Sequence, residues 1–279
     1  MVFATAITLV AATLHATWNL VLKTAPETDR DLVSWGLFLV AAAFALPVVV
    51  VTGGPGMVAL PWLAITAVVH AAYAWFLVAA YRHGDFSLAY PLARGGGALV
   101  SAVGGWLLLG DHLSWRSWAA IAVVAGGLVS LIGPHVPAVA VRDALLTGLT
   151  IGTYTLIDSH GARISADGVS YGVASLVAAA IGTSILFAAG GRTAALVAAV
   201  PLLWRRWLLA GACAVVAYTL VLVAVRHAPV GYVSVLREFS VVLGALVGWL
   251  VLKEALGRRR LVSALVIMSG MVGLIVTTI

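Results

Sequence analysis

Residues 87–111 read SLAYPLARGGGALVSAVGGWLLLGD, and residues 230–254 read VGYVSVLREFSVVLGALVGWLVLKE. A gapless alignment of the two stretches places Arg94 against Arg237, and it also matches a Gly-Trp pair and a final acidic residue. Each stretch is otherwise apolar and long enough to cross a bilayer, which takes about 20 residues. The chain therefore contains an internal duplication, and each copy carries one arginine inside an apolar segment.

The composition is that of a membrane protein. Hydrophobic residues make up 63% of the 279-residue chain, and charged residues make up only 9%. A water-soluble domain does not carry so much apolar surface, so we expect the chain to lie in a bilayer with no sizeable soluble domain. The single cysteine, Cys213, excludes an intramolecular disulfide and a cysteine-based metal site. We interpret the net charge of +6 as a topology signal rather than as a sign of nucleic-acid binding.

Charged residues and Pro/Gly clusters divide the chain into ten apolar segments. Their approximate ranges are 3–22, 32–52, 62–82, 86–109, 116–133, 143–160, 171–190, 205–226, 230–252 and 259–278. We therefore predict an all-α integral membrane fold with ten transmembrane helices. Pro134 and Pro137 indicate a linker, 135–142, between a first five-helix repeat, 1–134, and a second, 143–279. Because five is odd, the second copy enters the membrane from the opposite side, an inverted repeat typical of secondary transporters.

Several motifs together resemble a known family. They are WNLVLK in the first helix, the whole of residues 86–133, and the parallel residues 230–278. These segments look like the EamA type of the drug/metabolite transporter superfamily, and the resemblance covers nearly the whole chain. It implies a ten-helix carrier with a central cavity lined by both halves, which moves small metabolites across the plasma membrane. One departure is Lys253-Glu254, which stands where the first half has Gly-Asp.

Lys and Arg are unevenly distributed between the loops. The odd-numbered loops hold eleven of them (Lys23, Arg30, Arg82, Arg142, Arg192, Arg205, Arg206, Lys253, Arg258, Arg259, Arg260) and the even-numbered loops hold three (Arg116, Arg163, Arg226). The positive-inside rule therefore places the odd-numbered loops in the cytoplasm of a cell whose plasma or inner membrane holds the protein. Both termini are then expected outside the cytoplasm.

Arg94 and Arg237 are the remaining basic residues, and both lie inside predicted helices. An intramembrane arginine costs at least ~2.5–3.5 kcal/mol on insertion scales, so it normally faces a cavity or a partner. Each arginine lies ~10–12 Å along its own helix, and the two helices enter from opposite faces, so one central site is within reach of both. The alternative is a structural ion pair, for instance of Arg237 with Glu238 or with Asp158.

Other polar and aromatic residues complete the predicted substrate site. They are Tyr90, His15, Trp18, Asn19, His70, Tyr73, Tyr154 and Tyr218. His15, Trp18 and Asn19 share one helical face, because they are three and four residues apart. Near mid-membrane, His15 is either a proton-titrating group or a hydrogen-bond partner of a neighbouring helix. Glu238 and Asp158 are the other candidate proton carriers.

Three classes of function fit these observations to different degrees. The leading one is a secondary carrier that works by alternating access on a small organic solute with a carboxylate or phosphonate group, such as an amino acid or organic acid. A guanidinium forks bidentately to such a group, which is why Arg94 and Arg237 favour it. The second is a carrier or exporter of cationic or neutral amphipathic compounds, with Glu238 or Asp158 as the coupling acid and the arginines structural.

The third class, a membrane-embedded enzyme, lacks support in the sequence. No metal-ligand spacing and no nucleophile elbow occur, and an ATP-binding loop is also missing. We therefore expect no cofactor and no metal, and transport that is either facilitated or driven by a gradient. The expected partners are the metabolite, the lipid bilayer and protons as a candidate coupling ion, in a monomer or a homodimer.

The charge distribution makes the topology testable. A reporter fused after Ile279 should be active outside the cytoplasm, and one inserted into the 253–260 loop should be active inside, because basic loops are retained on the cytoplasmic side. Fusions to a periplasm-active and a cytoplasm-active reporter at both positions measure this. The opposite pattern would reverse the predicted orientation.

Overall fold

The computed structural model describes residues 1–130, 136–250 and 258–278, and all regular structure among them is helical. The α-helices, in chain order, are α1 Val2–Lys23, α2 Arg30–Thr52, α3 Leu60–His83, α4 Phe86–Leu108, α5 Trp115–Val129, α6 Ala138–Ile164, α7 Gly168–Ala189, α8 Thr193–Ala224, α9 Val230–Leu236, α10 Phe239–Leu250 and α11 Arg258–Thr278. Lys253 and Glu254, the departure from the first repeat, lie outside the described residues.

Among the described residues, six helical segments are long and apolar enough by themselves to cross a bilayer. They are Val2–Lys23, Glu27–Thr52, Met57–His83, Gly168–Ala189, Thr193–Ala224 and Leu261–Thr278. Helices α4 and α6 are long but more polar, because α4 contains Arg94 and α6 contains Asp158. These two helices form the most extensive contact between any described pair, so each shields the polar face of the other from lipid. The chain is a multi-pass membrane protein.

Small residues set the close crossing of α4 and α6. A side-chain carbon on Gly148 would lie 2.9 Å from the carbonyl oxygen of Ala93, and one on Gly97 would overlap the side chain of Ile151. In lipid, where packing replaces the hydrophobic drive, such small residues let two backbones approach. The crossing fixes Arg94, one residue after Ala93, at the inner face of α6.

Helix contacts come in pairs that relate the two halves of the chain. Helix α1 packs against α8 while α6 packs against α3, and α2 packs against α8 while α7 packs against α3. Helix α2 also packs against α7, and α5 against α11. The pattern is symmetric. If α1, α2 and α3 are replaced by α6, α7 and α8, and α5 by α11, and the reverse, the same set of helix contacts results. The halves therefore interlock through many contacts instead of lying side by side.

Two helices begin earlier than the sequence predicts. Helix α6 starts at Ala138, so most of the predicted 135–142 linker is helical, and Pro137 stands at its N-cap. A proline is tolerated at this position because the first amide groups of a helix have no intrahelical acceptor. The sequence predicts the start of this helix too late, because Pro137 stands at its N-cap and not within a linker.

Helix α8 starts at Thr193 rather than at 205 and contains Pro201. An internal proline removes one backbone hydrogen bond but does not by itself end a helix that neighbours hold in place. Arg205 and Arg206 consequently lie on a helix instead of in a loop. Arg206 donates from Nη1 to the carbonyl oxygen of Val21, 3.1 Å away, so it still lies level with the end of α1.

Helix packing through glycine is testable at the α3–α7 contact. A side-chain carbon on Gly182 would overlap the backbone oxygen of Ala67, which cannot move without shifting α3. Gly182→Ala should therefore lower the free energy of unfolding by about 1–3 kcal/mol, the usual cost of overpacking. Gly126→Ala is the matched control, because nothing lies within 4 Å of its added carbon. Thermal unfolding in detergent measures both, and equal unfolding temperatures would contradict the close approach.

Candidate functional site

The second arginine lies where a predicted helix is interrupted. The sequence predicts one helix over 230–252, whereas the structure has α9 end at Leu236 and α10 begin at Phe239. The amide of Glu238 donates to the carbonyl oxygen of Val235 at 3.0 Å, and the amide of Ser240 donates to Arg237 at 3.0 Å. These bonds span three residues, so the ladder tightens into a 3₁₀-type turn, a feature that often marks a functional hinge.

The first buried ion pair joins the two halves of the chain. Arg94 Nη2 of α4 lies 3.2 Å from Glu238 Oε1, and the two side chains are only 5% and 1% exposed. The predicted partners for a structural pair were wrong, since neither a pair of Arg237 with Glu238 nor one with Asp158 is formed. Neighbouring side chains of a helix diverge by about 100°, so Glu238 faces α4 while Arg237 faces α1.

The second arginine contacts a histidine. Arg237 Nη2 lies 3.1 Å from His15 Nε2, and His15 Nδ1 lies 3.2 Å from the carbonyl oxygen of Ala11. A carbonyl oxygen only accepts, so Nδ1 carries the proton and Nε2 accepts from the guanidinium. His15 is therefore neutral in this arrangement, and it orients Arg237 without neutralising it.

The cluster carries more positive than negative charge. Arg94, Arg237 and Glu238 are all buried, and Arg237 forms no ion pair with any residue in the described parts of the chain. The Nε atoms of both arginines and both carboxylate oxygens of Glu238 are buried without a hydrogen-bond partner in the same parts. The space between the arginines, Ser101 and Ser234 has no room for a water molecule. The site is thus closed in this state, with buried polar groups whose hydrogen-bonding capacity is unused.

Aromatic rings form the neighbouring part of the site. The ring of His70 stacks on Tyr154 with centroids 4.2 Å apart and meets the edge of Tyr218 at 5.8 Å. Tyr73 lies 5.4 Å from Tyr154 in an edge-to-face arrangement, and Phe38 lies 6.2 Å from His70. These rings come from α2, α3, α6 and α8, so both halves contribute. Aromatic pairs in stacked or edge-to-face arrangements stabilise a structure beyond the burial of their apolar area, so these contacts fix the orientation of the rings.

Asp158 lies beside this aromatic group and is fully buried. The hydroxyl of Tyr171 donates to Asp158 Oδ1 at 3.1 Å, and that of Tyr218 donates to Oδ2. No lysine or arginine in the described ranges forms an ion pair with Asp158. The two tyrosine hydroxyls therefore stabilise this carboxyl in place of a cation.

All the sequence-predicted site residues are buried, but they lie in distinct groups. Trp18 lies on His15, with centroids 5.7 Å apart, and Tyr90 is buried on α4, the helix that carries Arg94. Asn19 lies further along α1 and accepts from the hydroxyl of Tyr81 at 2.7 Å. Asn19 therefore belongs to the packing between α1 and α3.

The sequence analysis did not identify Tyr171 or Phe38. Tyr171 binds Asp158, and Phe38 packs on His70. A signal for Tyr171 exists, since it corresponds to Trp35 at the offset of 136 residues that relates the first helices of the two halves. Phe38 lies in a uniformly apolar helix, and nothing in its surroundings distinguishes it from a packing residue.

Polar contacts close both ends of the bundle. At the even-loop end, Asp111 binds Arg163 Nη1 at 2.8 Å and accepts from the amide of Val230 at 2.6 Å. At the odd-loop end, Arg30 donates to the carbonyl oxygen of Tyr81 at 2.7 Å. Each contact joins elements that begin or end beside the central helices. Access to the site from either end requires the contacts there to separate.

Comparisons with known proteins agree with this architecture. Residues 143–276 match the sequence model of the EamA-like transporter family. A solved structure, described simply as "Crystal structure of protein", superposes with a TM-score of 0.72 and 16% sequence identity over 98% of both chains. At this identity the likeness shows the fold alone. None of the curated proteins compared with the chain matches it.

The buried pair of Arg94 and Glu238 predicts a compensating mutation. Glu238→Gln leaves a buried cation without its partner, so it should reduce stability by about 3–5 kcal/mol. Adding Arg94→Gln should recover much of that loss, because the uncompensated charge is then gone. Glu27→Gln serves as the control, because Glu27 is 58% exposed and approaches Arg82 only to 3.9 Å. Unfolding temperatures of the single and double variants measure this, and an additive loss would contradict the pairing.

Proposed function

We propose that this chain is a membrane transporter of the EamA type, whose family model matches residues 143–276, and that it is a secondary carrier of a small solute with an anionic group. The solute class is a carboxylate or a phosphonate, such as an amino acid or organic acid. The proposed route is across the plasma membrane by alternating access, with no enzymatic step.

The observation that supports this proposal is the charge balance of the central cluster. Glu238 compensates Arg94, whereas Arg237 is held by a neutral imidazole. An anionic group that entered between the arginines would restore electroneutrality and would accept from a planar fork of donors. Charge-assisted bonds of this kind are strong in a site without water. Arg237 is therefore our principal substrate-binding residue, and Arg94 is the second.

The transport cycle that we propose uses ten spans in two inverted repeats, with α9 and α10 as one interrupted span. The paired helix contacts between the halves support this arrangement, and interrupted helices commonly carry transporter sites. Opening toward one side would separate Asp111 from Arg163, and opening toward the other would separate Arg30 from the end of α3. The tightened turn at 237–241 is the natural hinge.

Proton coupling is part of the same proposal, with His15, Glu238 and Asp158 as the candidate groups. Protonation of His15 at Nε2 would remove the acceptor of Arg237 and place two cations face to face. Protonation of Glu238 would free Arg94 in a similar way. Either protonation would make an arginine available to the solute, and proton binding would thereby be coupled to solute binding.

A second candidate function is transport of cationic or neutral amphipathic compounds. The observation that favours it is Asp158, which lies beside aromatic rings and has no cationic partner in the described ranges. Aromatic faces attract cations, and a carboxylate would complete such a site. Under this alternative, Asp158 carries the function and the arginine cluster is structural.

Substitution of Arg237 tests which cluster binds the solute. Arg237→Lys keeps the charge but loses the fork, so the affinity for an anionic solute should fall several-fold. Arg237→Ala should weaken it by about 10- to 150-fold, since a charge-assisted hydrogen bond contributes about 1.5–3 kcal/mol. Thermal-shift titrations with amino acids, organic acids, phosphonates and quaternary amines identify the ligand class, and proteoliposome uptake then measures transport.

Asp158→Asn is the matched variant for this experiment, because Asp158 lies in the other cluster. It should retain binding of the anionic solute if the arginines form the site. A quaternary amine that binds the wild-type protein and Arg237→Ala equally, but not Asp158→Asn, would instead establish the second candidate. If Arg237→Ala lowers the unfolding temperature but leaves the affinity for the anionic solute unchanged, Arg237 is structural.

A further inference from the structure

A cavity of about 930 Å³ lies away from the central site, at the end of the bundle formed by the odd-numbered loops. It is bounded by the start of α2, the second half of α3, the start of α6 and the end of α7. No residue of the arginine cluster or of the aromatic group lines this cavity. The proposed transport cycle therefore leaves this cavity without a role.

One wall of the cavity is apolar. It is formed by Trp75 and Phe76 of α3, Leu146 of α6, and Leu186 and Phe187 of α7. Trp75 is 58% exposed, so the wall continues onto the outer surface of the bundle. In a bilayer, this opening lies against acyl chains instead of water. An occupant can therefore enter from the membrane.

Three arginines lie at the mouth of the cavity. Arg82, Arg142 and Arg192 line it, with side chains that are 53%, 65% and 38% exposed. Each has an acidic neighbour, which is Glu27 for Arg82, Asp143 for Arg142 and Asp31 for Arg192. His83, which also lies at the mouth, contacts Asp143 Oδ2 through Nδ1 at 2.7 Å.

The ion pairs at the mouth are unequal, and this leaves donors for a ligand. Arg192 binds both oxygens of Asp31, at 2.6 and 3.1 Å. Arg142 uses Nε and Nη2 on one oxygen of Asp143, each at 2.8 Å, which leaves its Nη1 outside that contact. Arg82 approaches Glu27 only to 3.9 Å, which is beyond hydrogen-bond distance. Arg192 likewise leaves its Nη1 outside its pair, but it holds both oxygens of its acid. Arg82 thus has the weakest acidic contact of the three, and Arg142 keeps Nη1 for an anion.

We propose that this cavity binds an anionic phospholipid, with its phosphate at Arg82 and Arg142 and an acyl chain along the wall of Trp75, Phe76 and Leu186. Only an amphipathic anion uses both halves of the lining, since a free phosphate would leave the apolar wall unused. Guanidinium groups bind phosphate bidentately, and basic pockets between helices at the membrane surface suit lipid headgroups. A lipid bound here would bridge α3, α6 and α7.

Lipid titrations on the purified protein in neutral detergent test this proposal. Phosphatidylglycerol should raise the unfolding temperature and should appear as a bound adduct in native mass spectrometry. Phosphatidylcholine with the same acyl chains and glycerol 3-phosphate should do neither. Stabilisation by glycerol 3-phosphate as large as that by the lipid would overturn the proposal in favour of a soluble anion.

Variants separate this cavity from general surface charge. Arg82→Gln combined with Arg142→Gln should weaken phosphatidylglycerol binding at least ten-fold. Arg205→Gln is the matched control, because Arg205 is exposed at the same end of the bundle on α8 but does not line the cavity. Equal binding by the double variant and the wild-type protein would refute the site, and so would an equal loss in Arg205→Gln.

A third variant keeps the charges and fills the space. Ala79→Trp places a large ring inside the cavity beside Phe76 and leaves all three arginines unchanged. It should also remove the lipid adduct, because the acyl chain loses its place against the wall. Retention of the adduct in Ala79→Trp would mean that the lipid lies elsewhere on the basic surface, which contradicts the proposal.

Discussion

The contact between Arg94 and Glu238 is the constraint on which the centre of the bundle depends. A buried guanidinium without a counter-charge is strongly unfavourable in a bilayer, and two of them near each other would also repel. Glu238 compensates one arginine across the boundary between the halves, since Arg94 belongs to α4 and Glu238 to the α9–α10 turn. The ion pair therefore holds together two segments that are far apart in sequence, at a position of Arg94 that the close crossing of α4 with α6 fixes.

The remaining arginine is placed to change partner. Arg237 is anchored by a neutral imidazole, a weaker restraint than an ion pair, and it lies at the 237–241 turn, where the helix ladder tightens. Polar contacts at both ends enclose the cluster, and no space for a solute exists between its members. A solute can enter only if helices move, and at the 237–241 turn Arg237 and Glu238 would move with them. The excess positive charge and the proposed hinge thus lie in the same enclosed part of the bundle, at Arg237 and the 237–241 turn.

The sequence was sufficient to predict most helices and the burial of the two arginines. Apolar length and polar breaks identify spans, and the duplicated arginines stand out because lipid penalises them. The partner of Glu238 was not predictable, because periodicity gives the face of its own helix but not the helix opposite. The tightened turn and the extension of α8 through Pro201 have the same cause, since neighbouring helices determine both. Tyr171 was missed because its hydroxyl matters only once Asp158 lies beside it.

The two repeats differ at one position in the arginine cluster. At the offset of 143 residues, Glu238 corresponds to Gly95, so the first half has the arginine without the acid. A side chain at Gly95 would overlap Leu128 of α5, and the small residue is therefore required by packing. Two symmetric acids would neutralise both arginines and leave no cation for a solute. One acid stabilises the closed bundle and still leaves Arg237 uncompensated, so the asymmetry of the repeats would make the proposed anion-binding site compatible with a stable fold.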